Sequence, residues 1–421
     1  MTITRRDFVK TGFAGVSLAF FSTRLGAAAL AATGSERTLV VVQMVGGNDT
    51  LNTFIPYLDP LYRVARATIG IPDPQILKVD SAFGFHPSMI ELADLYRSRK
   101  FAFVTNVGFS TRDRSHFFCQ DVWQTANESP EIGEPGWIGR WADLYAPTNM
   151  SPATIVGVAA SETRGLVAKR AFPTCLVDLS VFKPSPEAPN SEADLLARTL
   201  RRLYGFNKSS AMTEQIREQG DTAFRAIDLF QTLPPASSVI DYPASPLGQA
   251  LQFSARLIAG QHGTNVIWVT LGSFDTHADE VTAANSTKGA HATLLRDLSA
   301  SLDAFQDDIE LRGLADRVLV MAWSEFGRRV QENSSLGCDH GKAGSVMLLG
   351  SRVKGGQWYG DPYNLRDLDE GDLKPRIDFR SVYATIIKGW LGGDPSLVLG
   401  KPYEQLGFLQ EASPRHRAVG R

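Results

Sequence analysis

Two short stretches each place a carboxylate beside an imidazole: Asp275-Thr276-His277 and Asp339-His340. Three more stretches carry acid, base or hydroxyl groups: Gly46-Gly47-Asn48-Asp49, Arg114-Ser115-His116 and Ser324-Glu325-Phe326-Gly327-Arg328. Carboxylate oxygens are hard donors and imidazole nitrogens are intermediate ones. A mixed set suits Zn²⁺, Mn²⁺ or Fe²⁺ better than Ca²⁺. Crowding such carboxylates without a cation would cost heavily in repulsion and desolvation. The expected ligand set is Asp49, Asp275, His277, Glu325, Asp339 and His340, with His116 as a further candidate. It would hold one or two divalent ions (Zn, Mn, Fe or Mg). Ser115 precedes His116-Phe117-Phe118-Cys119, which reads as the start of a helix. A hydroxyl there is placed to attack phosphorus or sulfur, or simply to cap the helix. Arg114 and Arg328 could clamp an anionic substrate with paired hydrogen bonds, or neutralise the nearby carboxylates. Asp49 alone would pass for a turn residue. His86, His262, His291 and His416 are read as packing or surface residues.

These residues need a scaffold that brings them together. Apolar runs at Thr38–Val45, Phe101–Val107, Thr154–Val158, Asn265–Leu271, Arg317–Trp323 and Ser345–Leu349 predict strands covered on both faces. Between them, Ala290–Leu311 repeats Leu294, Leu295, Leu298, Leu302, Phe305 and Ile309 at steps of mostly three and four, which is one buried helix face. Pro87–Arg99, Glu192–Tyr204, Met212–Thr232, Ser245–Gly260 and Asp378–Leu391 read as further helices, the last with Asp378 as N-cap. The alternation predicts an α/β fold with a central, mostly parallel mixed β-sheet sandwiched between helices. Residues 159–264 are strand-poor and are expected to form a largely helical insertion or cap, with a surface loop at Pro184–Pro189. Four of the strands end in glycine and charged residues. If they run parallel, those ends share the sheet edge where open α/β sheets place ligands.

The N-terminus reads differently. Arg5-Arg6-Asp7-Phe8-Val9-Lys10, a short apolar stretch to Phe21 and an Ala-rich run to Ala32 have the layout of a twin-arginine export signal. The expected partner is therefore the twin-arginine export machinery, and the expected location is periplasmic or otherwise exported. The apolar stretch is too short to span a bilayer, which takes about 20 apolar residues, so no stable membrane span is expected after cleavage. Residues 1–32 carry four basic residues and one acidic, so their loss moves the formal charge from −2 to −5. No basic stripe remains to bind nucleic acid. Three cysteines are too few for a disulfide scaffold. No dinucleotide-binding glycine fingerprint follows the first strand.

Taken together, Arg5-Arg6, Gly46-Gly47-Asn48-Asp49, Arg114-Ser115-His116-Phe117, Phe274-Asp275-Thr276-His277, Ser324-Glu325-Phe326-Gly327-Arg328 and Asp339-His340-Gly341 resemble the bacterial family called domain of unknown function 1501. That family is similar in turn to the alkaline phosphatase and sulfatase superfamily. The resemblance implies an exported metal-dependent hydrolase acting on a small anionic phosphate or sulfate ester. It implies Asp49 as the ligand after the first strand, Ser115 as nucleophile, Asp275 with His277 and Asp339-His340 as later ligands, and Glu325 in place of a ligand Asp. Where the superfamily carries a ligand His, this chain has Phe326. The implied alternatives are compensation by His116, a single metal, or an inactive, metal-stabilised relative that serves in binding or assembly at the cell envelope.

Overall fold

The computed structural model describes residues 37–158, 163–176, 198, 199, 202 and 211–411. The expected export signal, the loop at 184–189 and most of the helix expected at 192–204 lie outside the described residues. No helix among the described residues is long and apolar enough to cross a membrane.

Among the described residues the main sheet has nine strands. They are β1 (Thr38–Met44), β2 (Phe101–Gly108), β3 (Ile155–Val158), β4 (Thr174–Leu176), β5 (Val266–Leu271), β6 (Val318–Trp323), β7 (Gly344–Leu349) and the short β8 (Trp358–Tyr359) and β9 (Ile377–Asp378). The spatial order is β8-β2-β7-β6-β1-β5-β3-β4, with β9 also on β2. β1 runs parallel to β5 and β6, and β3 runs parallel to β5 and β4. Among these described strands only β7 is reversed, pairing antiparallel with both β6 and β2. The expected mostly parallel mixed sheet is present. β4 was not foreseen: its three residues are too short to show a pattern.

The reversal of β7 matters for the site. Because β6 leaves the sheet at one edge and β7 enters at that edge, the loop 324–343 never crosses a face. It stays over the C-terminal ends of β1, β2, β5 and β6, which answers why Glu325, Arg328, Asp339 and His340 follow a buried strand so closely.

Both faces of the sheet are covered, as the continuous apolar strands require. Val40, Val42 and Met44 of β1 join one core cluster, and Leu39 and Val41 join the other. The first cluster takes in α3 (Ile90–Arg97), α7 (Pro246–Ala259) and α8 (Ala290–Leu311). The second takes in α4 (His116–Thr125), α5 (Trp137–Tyr145) and α9 (Phe379–Ile386). The remaining helices needed below are α1 (Thr50–Thr53), α2 (Pro60–Ala65), α6 (Ala211–Gln231) and α10 (Pro395–Leu399). α8 has the bounds its periodicity predicts. Asp378 caps α9 by accepting from the Arg380 amide, and the helix then widens into a π-turn over Ile387–Leu391. Cys119 and Cys338 are buried and form no disulfide.

α4 is held against the sheet by aromatic packing. Trp123 stacks on Trp323 of β6 at 4.8 Å and on Phe379 of α9 at 4.5 Å. Such pairs add about 0.5–1.5 kcal/mol beyond burial. They hold the C-terminal half of α4 on the sheet, while His116 and Gln120 bond Glu325 at the edge where the strand ends converge.

Candidate metal centre

Backbone shape at the strand ends comes first. After β1, Gly46 and Gly47 adopt φ of +121° and +76°, where a side chain is strained. A Cβ on Gly46 would stand 2.4 Å from the Asp275 amide nitrogen, and one on Gly47 would stand 2.3 Å from the Phe326 ring. Bare backbone here lets the β5 and β6 loops close over β1. Arg328 then locks the loops together. It is buried, and it donates to the carbonyls of Gly46, Gly47 (2.7 Å), Phe274 (3.0 Å) and Cys338 (3.0 Å) and to Asp275 Oδ1 (2.6 Å).

Three imidazoles surround Asp275. Its Oδ1 lies 3.3 Å from His116 Nε2, 3.1 Å from His277 Nε2 and 3.3 Å from His340 Nε2. His277 Nε2 and His340 Nε2 face each other at 2.8 Å. A suitable ligand atom from each of His116, Asp275 and His340 lies within 4.8 Å of the others. The rings stack as a group, with His116–His340 centroids 4.3 Å apart and His277–His340 centroids 4.5 Å apart. Phe326 packs on His116 (4.9 Å) and His340 (4.8 Å), forming an apolar wall.

Each ring is turned inward by a bond on its other nitrogen. His116 Nδ1 meets Glu325 Oε1 at 2.8 Å, His277 Nδ1 meets Asp339 Oδ1 at 3.2 Å, and His340 Nδ1 meets the Arg114 carbonyl at 2.7 Å. This is how metal-binding histidines are oriented and made better donors. Glu325 is itself fixed: its Oε1 accepts from the Gly46 amide at 2.9 Å and from Gln120 Nε2 at 3.1 Å. Asn333 Nδ2 donates to Asp339 Oδ1 at 3.1 Å and to the His277 carbonyl at 2.9 Å.

The donor set fits a divalent ion. With His277 Nδ1 donating to Asp339 and His340 Nδ1 to the Arg114 carbonyl, two neutral rings would turn unprotonated Nε2 atoms on each other at 2.8 Å, an arrangement that a proton or a cation relieves. His116 Nε2 is buried with no hydrogen bond despite its closeness to Asp275. His116, Asp275 and His340 form a three-donor set of the type that leaves a catalytic zinc an open position, with His277 Nε2 beside Asp275 and His340 but outside that set. Protonation tendencies agree in part. Burial would raise Asp275, but the hydrogen bond and charge of Arg328 outweigh it and hold the carboxyl down at about 2. Burial pushes His340 down, toward the neutral form a metal needs. The hydrogen bond that Glu325 accepts from His116 Nδ1 pushes His116 up, toward the protonated form, so a metal there must displace a proton.

The sequence candidates thus separate into groups. His116, Asp275 and His340 converge with two ring nitrogens and one oxygen, and His277 flanks Asp275 and His340. Glu325 and Asp339 stand behind the rings. Asp49 is in a different, wholly buried cluster. Its carboxylate accepts from both terminal nitrogens of Arg66, and its Oδ1 accepts from the Leu51 amide of α1 at 3.2 Å. Ser115 is exposed at the start of α4, and its hydroxyl makes no capping bond. Its neighbours on both sides contact the centre, through the Arg114 carbonyl and the His116 ring. The Arg114 guanidinium instead bonds Asp372 (2.6 Å) and Glu370 (3.2 Å) of a nearby hairpin. His291, read as a packing residue, is buried and bonds Asn48 Oδ1 at 3.0 Å. Sequence reading missed Arg66, Glu280, Gln120 and Asn333. Glu280 and Asn333 follow the charged strand ends but lie beyond the motif stretches, and Arg66 and Gln120 lie in helical segments with no such pattern.

Three comparisons place the chain. No curated protein matches it. Among solved structures, it is similar to the C-terminal periplasmic domain of EcEptC from Escherichia coli in complex with Zn, at 12% identity and TM-score 0.38, covering 92% of this chain and 96% of that one. It is also similar to a phosphonate monoester hydrolase from Silicibacter pomeroyi, at 8% identity and TM-score 0.35, covering 88% and 78%. A third is a sulfatase from Pseudoalteromonas sp., at 12% identity and TM-score 0.37, covering 89% and 72%. The family described as "Protein of unknown function (DUF1501)" matches residues 36–389, most of the chain, and the chain belongs to that family.

Proposed function

We propose that this protein is an exported, metal-dependent hydrolase of phosphate or sulfate esters, with His116, Asp275 and His340 holding one divalent ion and His277 flanking them. The observation that carries this reading is the approach of three ring nitrogens to Asp275 Oδ1, each within 3.3 Å. When bound, such an ion supplies Lewis-acid stabilisation of charge on a transferring phosphoryl or sulfuryl group. The chain's own residues do the rest. Glu325, Asp339 and the Arg114 carbonyl hold the three rings in orientation. Arg328 neutralises Asp275 and ties the three loops to one another. Ser115 presents an uncommitted hydroxyl at the N-terminus of a ten-residue helix, where developing negative charge is favoured. Asp275, His277 and Asp339 are about half exposed, so the centre is open to a small ester.

A second reading has its own support. Arg114 and Arg328 are committed to the protein's own acceptors, so neither offers a ready clamp for an anion. A metal-stabilised binding or assembly protein of the cell envelope would not need one. Metal-replete protein assayed with an aryl phosphate and an aryl sulfate separates the two. Turnover that disappears in Ser115→Ala supports the hydrolase. Absence of turnover on both esters, with full metal occupancy, supports the second reading and sinks the first.

A further inference from the structure

Asp49 belongs to a second group of ligand-type side chains. It, Glu280 and Cys338 each offer an atom within 4.8 Å of the others, and all three are buried. We infer that the guanidinium of Arg66 takes the place of a cation in this group, so the chain binds one metal ion at its histidine centre and none at Asp49. The inference builds on the proposed metal centre for the first ion only.

The geometry is that of a tethered cation. Arg66 is 1% exposed and Asp49 is fully buried. Arg66 meets Asp49 with both terminal nitrogens, one of them at 2.9 Å from Oδ1, in the paired arrangement that arginine makes with a carboxylate. Two more of its donors are used: Nε on the Val330 carbonyl at 3.2 Å and Nη2 on the Arg329 carbonyl at 2.9 Å. The segment carrying it is braced. The Arg66 amide bonds the Tyr62 carbonyl at 3.0 Å, closing α2. The Tyr62 hydroxyl donates to Asn52 Oδ1 at 2.8 Å and accepts from the Ile71 amide at 2.9 Å.

The charges balance around one positive group. Burial raises Glu280 well above the ordinary carboxyl range, with Asp49 beside it reinforcing the shift. Burial pushes His291 down to about 4 and His86 down to about 3. One carboxylate thus faces one guanidinium. A divalent ion would have to expel Arg66, which a buried side chain with four acceptors resists. Arg66 also joins the end of β1 to the 324–343 loop, so that loop is anchored without waiting for a metal.

Metal content by mass spectrometry, after purification with excess Zn²⁺ or Mn²⁺, is the first test. One equivalent per wild-type chain is expected, and two would overturn the inference. Zero would sink the histidine centre instead, leaving the variants below to decide the role of Arg66. Arg66→Met vacates the Asp49 group. It is expected to gain one equivalent and a metal-dependent rise in Tm, both lost in Arg66→Met/Asp49→Asn. A folded Arg66→Met that gains no metal overturns the inference. Should Arg66→Met not fold, Asp49→Asn decides: an unchanged single equivalent, with affinity within about twofold of wild type, supports it, and a tenfold weaker affinity overturns it.

Discussion

Glu325 distinguishes an orienting role from a ligating one, and the geometry sets the size of the effect. Its Oε1 holds His116 Nδ1 (2.8 Å), the Gly46 amide (2.9 Å) and Gln120 (3.1 Å), and its side chain is fully buried. Glu325→Gln keeps a carbonyl oxygen for these bonds but removes the charge that makes His116 more basic. Glu325→Ala removes the bonds too and strands the Gly46 amide. Losing such an orienting partner weakens metal binding about 10- to 100-fold, or about 1.4–2.7 kcal/mol. Gln should fall near the lower end and Ala near the upper. Stranding the amide should also cost Ala roughly 1–3 kcal/mol of folding stability. His340→Ala, which removes a ligand, should weaken binding more than either. Competition titration of Zn²⁺ against a chromophoric chelator measures all three, with urea melts run alongside. The reasoning fails if both Glu325 variants keep wild-type affinity. It also fails if Glu325→Ala loses as much as His340→Ala, since Glu325 would then be a ligand.

Three further outcomes follow from particular contacts. Gly46→Ala would force a Cβ to 2.4 Å from the Asp275 nitrogen at φ +121°, so chemical melts should show a loss of at least about 1–3 kcal/mol together with weaker metal binding. Asp303 in α8 is pushed up from the ordinary 3.8 to about 6, first by burial and then by Asp307, Glu91 and Asp94. Because its folded pKa is raised, no penalty exists below pH ~4, and the penalty grows as pH climbs toward about 6 and is complete above it. Asp303→Asn should therefore stabilise the protein at pH 8 by up to about 3 kcal/mol, screened to roughly 1–2 kcal/mol by partial exposure; equal gain at pH 3 would contradict this. Stripping metal with a chelator should lower Tm by about 3 °C from its value at free metal one hundred times Kd, on the basis of about 2.7 kcal/mol of linkage spread over a chain of this size. Calorimetry with and without chelator checks that figure.

Much of the scaffold can be read from composition alone because parallel strands covered on both faces leave unbroken apolar runs. Val318–Trp323 and Val266–Leu271 are such runs, and the charges that follow each one mark its end. The site is legible only in part. Residue type identifies Asp275, His277 and His340 as ligand chemistry, but it does not tell which atom of a carboxylate–imidazole pair faces inward. That is decided by side-chain bonds such as His116–Glu325, 209 positions apart in the chain. Arg66 illustrates the other limit. It sits at the end of a six-residue helix with no motif around it, and its approach to Asp49 depends on the Tyr62–Asn52 bond and on the carbonyls of Arg329 and Val330. β7 shows a similar limit: its apolar run predicts a strand, but nothing in it tells direction, and direction is what keeps the His340 loop on the right edge.

Anomalous diffraction at the metal edge, on crystals of protein purified with Zn²⁺, tests the central claim most directly. A single peak about 2 Å from the Nε2 atoms of His116 and His340 and from Asp275 Oδ1 is the predicted result. A peak beside Asp49 with Arg66 swung away, or metal-saturated crystals with no peak among the three rings, would contradict it.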